Sequence, residues 1–125
     1  MKITVVSRND KRLVELARLL RQRSANDEVE LVSGTLDRLN IGGPVPVPDL
    51  LLLDDPQGSD LSVLERLGAS HSRMATILVS EAQSLAFMME AMRAGVREVL
   101  FTSELADTMF PAVDRIEEKL QQHTH

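Results

Sequence analysis

The chain has 125 residues, 43% of them hydrophobic and 26% charged, with a net charge of −5 and no cysteine. That length supports one domain with a real core and is too short for two typical ones. The composition excludes a disulfide framework and thiolate chemistry, and no apolar run approaches the ~20 residues that span a bilayer.

Short apolar runs alternate with helical patterns along the whole chain. Lys2 to Val6 is a β-rich run ending at Ser7. It meets charge at once and lacks the apolar segment of a secretory signal, so cytoplasmic residence is the expectation. Asn9 or Asp10 then caps a helix carrying Leu13, Leu16, Ala17 and Leu20 on one face. The bases of this helix, Lys11, Arg12, Arg18, Arg21 and Arg23, are followed by Asp27, Glu28 and Glu30. They read as a solvated helix face. Aromatic residues make up 2% of the chain, all phenylalanine, which leaves no base-stacking platform and no expected nucleic-acid partner.

Ser24 to Asp27 breaks the helix, and Glu28 to Val32 alternates as a half-buried strand does. Thr35 to Asn40 has the makings of a short helix. Gly42, Gly43, Pro44, Pro46 and Pro48 then forbid a regular element and predict a surface loop. Asp49 to Leu53 is a continuous apolar run, the mark of a strand buried on both faces. Asp60 caps a helix with Leu61, Val63, Leu64 and Leu67. Ala75 to Val79 is another buried strand. Ser84 or Gln83 starts a helix with Leu85, Met88, Met89 and Met92, and Gly95 closes it; most of the Met88, Met89 and Met92 cluster is expected in the core, the alternative being an adaptable binding surface. Glu98 to Phe101 is the last strand. Leu105, Met109, Ala112, Val113, Ile116 and Leu120 form the stripe of the last helix.

Strands alternating with helices predict an α/β three-layer sandwich on a parallel sheet. Five short strands suit the flavodoxin-like order 2-1-3-4-5. Ligands of such sheets bind beyond the carboxyl ends of the strands, near the reversal between strands one and three. The segments to watch are 7–10, 54–57, 80–83 and 102–104. Ser7-Arg8-Asn9-Asp10 has no glycine, which argues against a nucleotide loop. His71, expected exposed, and the terminal His123 and His125 have no metal-ligand spacing.

Over essentially its whole length the sequence resembles the receiver (CheY-like) domain of response regulators. Pro48-Asp49-Leu50-Leu51-Leu52-Leu53-Asp54 resembles the segment leading to a phosphoacceptor aspartate. Ile77-Leu78-Val79-Ser80 resembles the fourth strand with its terminal hydroxyl. Ala91-Met92-Arg93-Ala94-Gly95-Val96-Arg97-Glu98-Val99-Leu100 resembles the turn into strand five. The resemblance places Asp54 at the phosphoacceptor position and Ser80 at the hydroxyl position. It places Ser7 and Arg8 where a receiver has the acidic pair that binds Mg²⁺. Ser103 stands at the conserved-lysine position and Val99 at the switch aromatic. A hard cation takes oxygen ligands, and Arg8 repels it. No metal, no Mg²⁺ and no other cofactor are therefore expected, and Val99 predicts no phosphorylation-driven rotamer switch. The expected arrangement is an ion pair from Arg8 to Asp54 or Asp55, with Asp54 held ionised by a nearby positive charge.

Among degenerate receivers, the run Met88 to Leu100 is most similar to the N-terminal domain of tight-adherence (Flp) pilus assembly proteins of the TadZ/CpaE group. That resemblance implies a non-enzymatic protein-interaction, dimerisation or localisation domain, 1–125, at the start of a longer protein with a following ATPase domain. Its implied partners are a second copy and pilus assembly components, at the cell pole or the inner-membrane face, without membrane insertion. Phe87, Met88 and Ala91 are the candidate interface, because the helix around them is apolar over much of its circumference. The competing readings are a conventional two-component receiver phosphorylated on Asp54, and a small-molecule-binding flavodoxin-like domain.

Overall fold

A computed structural model describes residues 1–36, 47–56, 58–71, 73–81 and 84–123. The strands are β1 (Lys2–Ser7), β2 (Glu28–Ser33), β3 (Leu50–Asp54), β4 (Ala75–Ser80) and β5 (Glu98–Phe101). The helices are α1 (Asp10–Arg23), α2 (Gly58–Ser70), α3 (Leu85–Arg93) and α4 (Leu105–His123), with a short 3-10 turn at Thr102–Glu104. The sheet is wholly parallel, in the order β2-β1-β3-β4-β5. This is the flavodoxin-like order that the alternation predicts. Expectations for Asn40, Gly42, Gly43, Pro44, Pro46, Gln57, Gln83 and His125 lie outside the described residues, as does most of the segment from Thr35 to Asn40.

The interior strands are apolar because both of their faces are covered. Every residue of β3 and β4 is buried. Ile3, Val5, Leu50, Leu52 and Ile77 face one side and pack with α1 and α4. Val6, Leu51, Leu53 and Leu78 face the other and pack with α2 and α3. The side-chain period of two within each strand divides the core in this way. β2 is an edge strand and alternates Glu28, Val29, Glu30 between water and the core, and its exposed glutamates blunt the open edge.

Local signals set the helix ends. The Asn9 side chain accepts from the backbone N–H groups of Lys11 and Arg12 at 3.0 and 3.3 Å. Asn9 is therefore the cap of α1. Asp10 is its first residue and accepts from the Ser33 hydroxyl at 3.0 Å. Ser84 caps α3 through a bond from the Phe87 N–H. At the other end Gly95 takes φ 91°, the Val96 N–H returns to the Ala91 carbonyl, and the Gly95 N–H returns to Met92. That pair of bonds is a Schellman closure, which needs a left-handed residue at this point.

Three expectations are corrected. Asp60 lies inside the first turn of α2, which begins at Gly58, and is not its cap. His71 is half-buried, its N–H bonded to Leu67 as α2 ends. The bases of α1 do not form a uniform solvated face. Arg23 is 7% exposed and binds Asp27 at 2.8 Å, Asp114 at 2.6 Å and Glu117 at 3.1 Å. It ties the end of α1 to the middle of α4, so the helix pair above this face of the sheet is fixed by charge as well as by packing.

Candidate functional site

β1 and β3 are neighbours, with Val6 opposite Leu53. Their next residues, Ser7 and Asp54, therefore emerge side by side at the carboxyl edge of the sheet. The Ser7 hydroxyl donates to Asp54 Oδ2 at 2.8 Å and accepts from the Asn9 N–H at 3.0 Å. The loop into α1 thus pins the hydroxyl that faces the carboxyl group. Arg12 Nε stands 3.7 Å from Asp54 Oδ1. Arg12 is the third residue of α1, and helical side chains tilt toward the N-terminus, which returns its guanidinium to the strand end.

Asp55 follows in the left-handed region, with φ 49°. Its N–H donates to the Val79 carbonyl at 2.8 Å, and Arg8 Nη2 donates to its carbonyl and to Oδ2 at 3.1 and 3.2 Å. Arg8 therefore reaches one of the two carboxylates expected for it, Asp55. Asp54 pairs with Arg12 instead, so the expected Arg8–Asp54 pair is replaced. Ser80 is buried at the end of β4, beside Val79, the register partner of Asp54. Ser103 is exposed in the 3-10 turn, and Val99 is half-buried in β5 against the α2–α3 side of the core.

The expected electrostatics of Asp54 are reversed. Only 7% of Asp54 is exposed. Burial pushes its carboxyl above the ordinary aspartate range, with Asp55 and Glu81 adding to the rise. The Ser7 hydrogen bond and Arg12 oppose that rise without cancelling it. Desolvation wins because Arg12 stands beyond hydrogen-bonding distance and its charge is partly solvated, at 19% exposure. The sign for stability follows. The folded state holds the Asp54 proton more tightly than the unfolded state, so ionising Asp54 costs stability as pH rises through its folded value. Asp54→Asn is expected to stabilise the domain by ~1 kcal/mol at neutral pH. The gain should vanish below the ordinary aspartate range. Urea midpoints of both proteins across pH check this, and a gain independent of pH contradicts it.

The donor set does not suit Mg²⁺. That ion asks for near-octahedral oxygen ligands. Here a single buried carboxyl is flanked by a neutral hydroxyl and a guanidinium, and the second carboxylate is held by Arg8. Among the described residues no group of three or more acidic, histidine or cysteine side chains is placed to hold a metal. A shallow cleft of about 190 Å³ lies at the opposite ends of β1 and β2, lined by Lys2, Thr4, Glu28, Glu30 and Pro48.

The candidate interface on α3 is shifted in phase. Ala91 is fully buried, and Phe87 and Met88 are half-buried. Leu85, Met89 and Met92 are 75%, 49% and 53% exposed. Ala91 and Ala94 sit in the core, and Gly68 of α2 lies beneath the Ala94 carbonyl. These alanines take the inward side of α3, which leaves the larger side chains outward. Met89 and Met92 therefore leave the core that the sequence assigns them.

No protein-family model matches the chain, and no curated protein matches it. Solved structures do. A protein assigned to pilus assembly (cpaE) from Burkholderia thailandensis is 28% identical with a TM-score of 0.81, over 94% of this chain and 98% of that one. A pilus assembly-related protein from Burkholderia pseudomallei is 27% identical with a TM-score of 0.83, over 93% and 88%. A response regulator receiver domain protein from Clostridium thermocellum is 19% identical with a TM-score of 0.78, over 97% of both chains; at that identity the likeness is one of fold. The chain has a receiver-type fold, and its structural neighbours are CpaE-like pilus assembly proteins and response-regulator receivers. No helix among the described residues is long and apolar enough to cross a membrane.

Proposed function

We propose that this domain is a degenerate receiver that works without phosphorylation or Mg²⁺, as a protein-interaction and localisation module of tight-adherence pilus assembly. The observation that carries the reading is the Asp54 site. Its carboxyl group is buried, bonded to Ser7 and faced by Arg12, while Arg8 occupies Asp55. A phosphoryl group arriving at Asp54 needs a cation to neutralise its oxygens and an open carboxylate to attack phosphorus. Here the carboxyl is already engaged, and guanidinium groups stand where a metal would be held. The similarity to two pilus assembly proteins supports the pilus setting of this reading. Without covalent input the domain acts through its surface, and the Leu85, Met89 and Met92 stripe of α3 is the surface offered to pilus assembly components. The setting is cytoplasmic, at the inner-membrane face or the cell pole.

Acetyl phosphate, with and without Mg²⁺, tests this reading. The expected result is an unmodified intact mass and amide NMR spectra that beryllofluoride and Mg²⁺ leave unchanged, since Val99 has no polar tip to couple to the site. A stable phosphoaspartate at Asp54 would return the domain to the conventional receivers.

A further inference from the structure

The chain has six methionines and no cysteine. A two-electron oxidant therefore meets no thiol here, and the thioethers are its targets. The fold sorts them by access. Met109 is fully buried against the sheet, and Met74, just before β4, is 8% exposed. Met1 and Met88 are half-buried. Met89 and Met92 are 49% and 53% exposed. They stand three residues apart on α3, so their side chains adjoin on one face, with Leu85 a turn before Met89. The two most accessible thioethers of the chain thus lie together in the stripe read above as the docking surface. The helix does not depend on them for its place. Ala91 and Ala94 hold it to the core, and Ser84 and Gly95 close its ends.

We infer that Met89 and Met92 are reversible oxidation sites, and that their conversion to sulfoxides by hypochlorous acid releases the docked partner while the domain stays folded. The inference rests on the reading of the α3 stripe as the docking surface and adds its regulation. The chemistry balances without a group from the protein. The thioether lone pair attacks chlorine, the O–Cl bond breaks and hydroxide leaves. Water then adds at sulfur, chloride leaves, and two protons are lost, one of them to the hydroxide. Sulfur gives up two electrons and chlorine gains them, so that thioether and hypochlorous acid become sulfoxide, a proton and chloride. The product is polar where the thioether was apolar. Its oxygen needs a hydrogen-bond donor when covered, which an apolar contact does not offer. In water the same oxygen is solvated, so the undocked domain bears no penalty. A methionine sulfoxide reductase reverses the step, with the oxygen leaving as water while a dithiol closes to a disulfide. Neither Met89 nor Met92 carries core packing, which separates this change from oxidation of Met109, where a sulfoxide would disrupt the fold.

Two measurements test this. The 125-residue chain is titrated with hypochlorous acid and mapped by fragment mass spectrometry. Met89 and Met92 are expected to gain oxygen at least ~10-fold faster than Met74 and Met109, because susceptibility follows exposure. Far-UV circular dichroism should be unchanged when both carry oxygen, and methionine sulfoxide reductases should remove it. Oxidation of Met74 or Met109 in step with the stripe, or loss of helix on oxidation of the stripe, overturns the inference. In the native host, a brief pulse of hypochlorous acid is expected to lower surface pili at least ~10-fold, with recovery only while the reductases are present. A strain carrying Met89→Leu with Met92→Leu keeps the apolar volume without the thioethers. Compared with its own untreated count, it should lose no pili in the pulse. Unchanged pili in the unmodified strain, or an equal loss in the leucine strain, overturns the inference. Should the leucine strain raise no pili, the unmodified strain decides: its pili must return in step with loss of the two sulfoxides, and return without the reductases overturns the inference. The docking reading fails separately, if charged substitutions at Met89 and Met92 leave untreated cells normally piliated.

Discussion

Replacing Arg23 with methionine is expected to cost about 3 kcal/mol of folding stability, the lower end of the range for breaking a buried ion pair. The Arg23 side chain is 7% exposed and that of Asp27 is 2% exposed. Removing the guanidinium leaves the Asp27 carboxylate with the N-terminal ammonium at 3.4 Å as its remaining cation. Asp114 and Glu117, at 61% and 34% exposure, are freer to take water, which keeps the loss from the top of the range. Burial opposes the charge on Arg23, yet hydrogen bonds to Glu117, Asp27 and Asp114 outweigh it and hold its pKa above the ordinary arginine value. The cluster has one flaw, since Arg23 Nε is buried without a hydrogen-bond partner. For a domain stable by roughly 5–15 kcal/mol, the expected loss is a large fraction of the total. The companion change Asp114→Asn is expected to cost under ~1 kcal/mol, as an exposed carboxylate should. Urea unfolding separates them, with a lower midpoint and an unchanged slope for the Arg23 variant. A loss below ~1 kcal/mol there would mean that packing alone holds α1 to α4.

The fold was legible because each of its rules is local. Leu50 to Leu53 reads as a strand buried on both faces and is one. Asn9, Ser84 and Gly95 read as helix ends and are ends. The site was legible to the level of the segment, since the topology gathers Ser7, Asp54 and Ser80 at one edge wherever strands one, three and four adjoin. Arg8 reaches Asp55, one of its two expected partners; what differs is the base beside Asp54 and the sign of its shift. Arg8 stands at one of the two acidic-pair positions, but Arg12 is the base that faces Asp54. Counting from the Asn9 cap offered the missed signal, because the third residue of a helix points back toward the strand that feeds it. The direction of the Asp54 shift failed because sequence supplies neighbours in kind and not their distance. A cation at 3.7 Å in partial solvent loses to the desolvation of a carboxyl that is 7% exposed. Arg23 failed for a related reason: its partners on α4 lie far along the chain, and only Asp27 was within sequence view.

The phase of α3 also differs from the expectation. Seven apolar residues in the run from Leu85 to Met92 exceed what one buried stripe requires. Sequence alone left open which of them faces out. The Ala91 and Ala94 side takes the core, so Leu85, Met89 and Met92 form a ridge at helical spacing on the outer surface. Met89→Asp with Met92→Asp is expected to leave folding stability within ~0.5 kcal/mol, as surface changes do. The same pair is expected to weaken binding of a pilus assembly partner ~100-fold or more, because charge then replaces apolar area at the centre of the contact. Thioether side chains suit such a contact, since they adapt to a partner without fixed geometry. Introduced in the native host, the double variant should accumulate to the normal level and fail to raise surface pili, counted by electron microscopy. Ala91→Asp is the contrasting control: it buries a charge in the core and should remove the protein itself. Normal piliation with the Met89 and Met92 double variant would show that the ridge is not the docking surface.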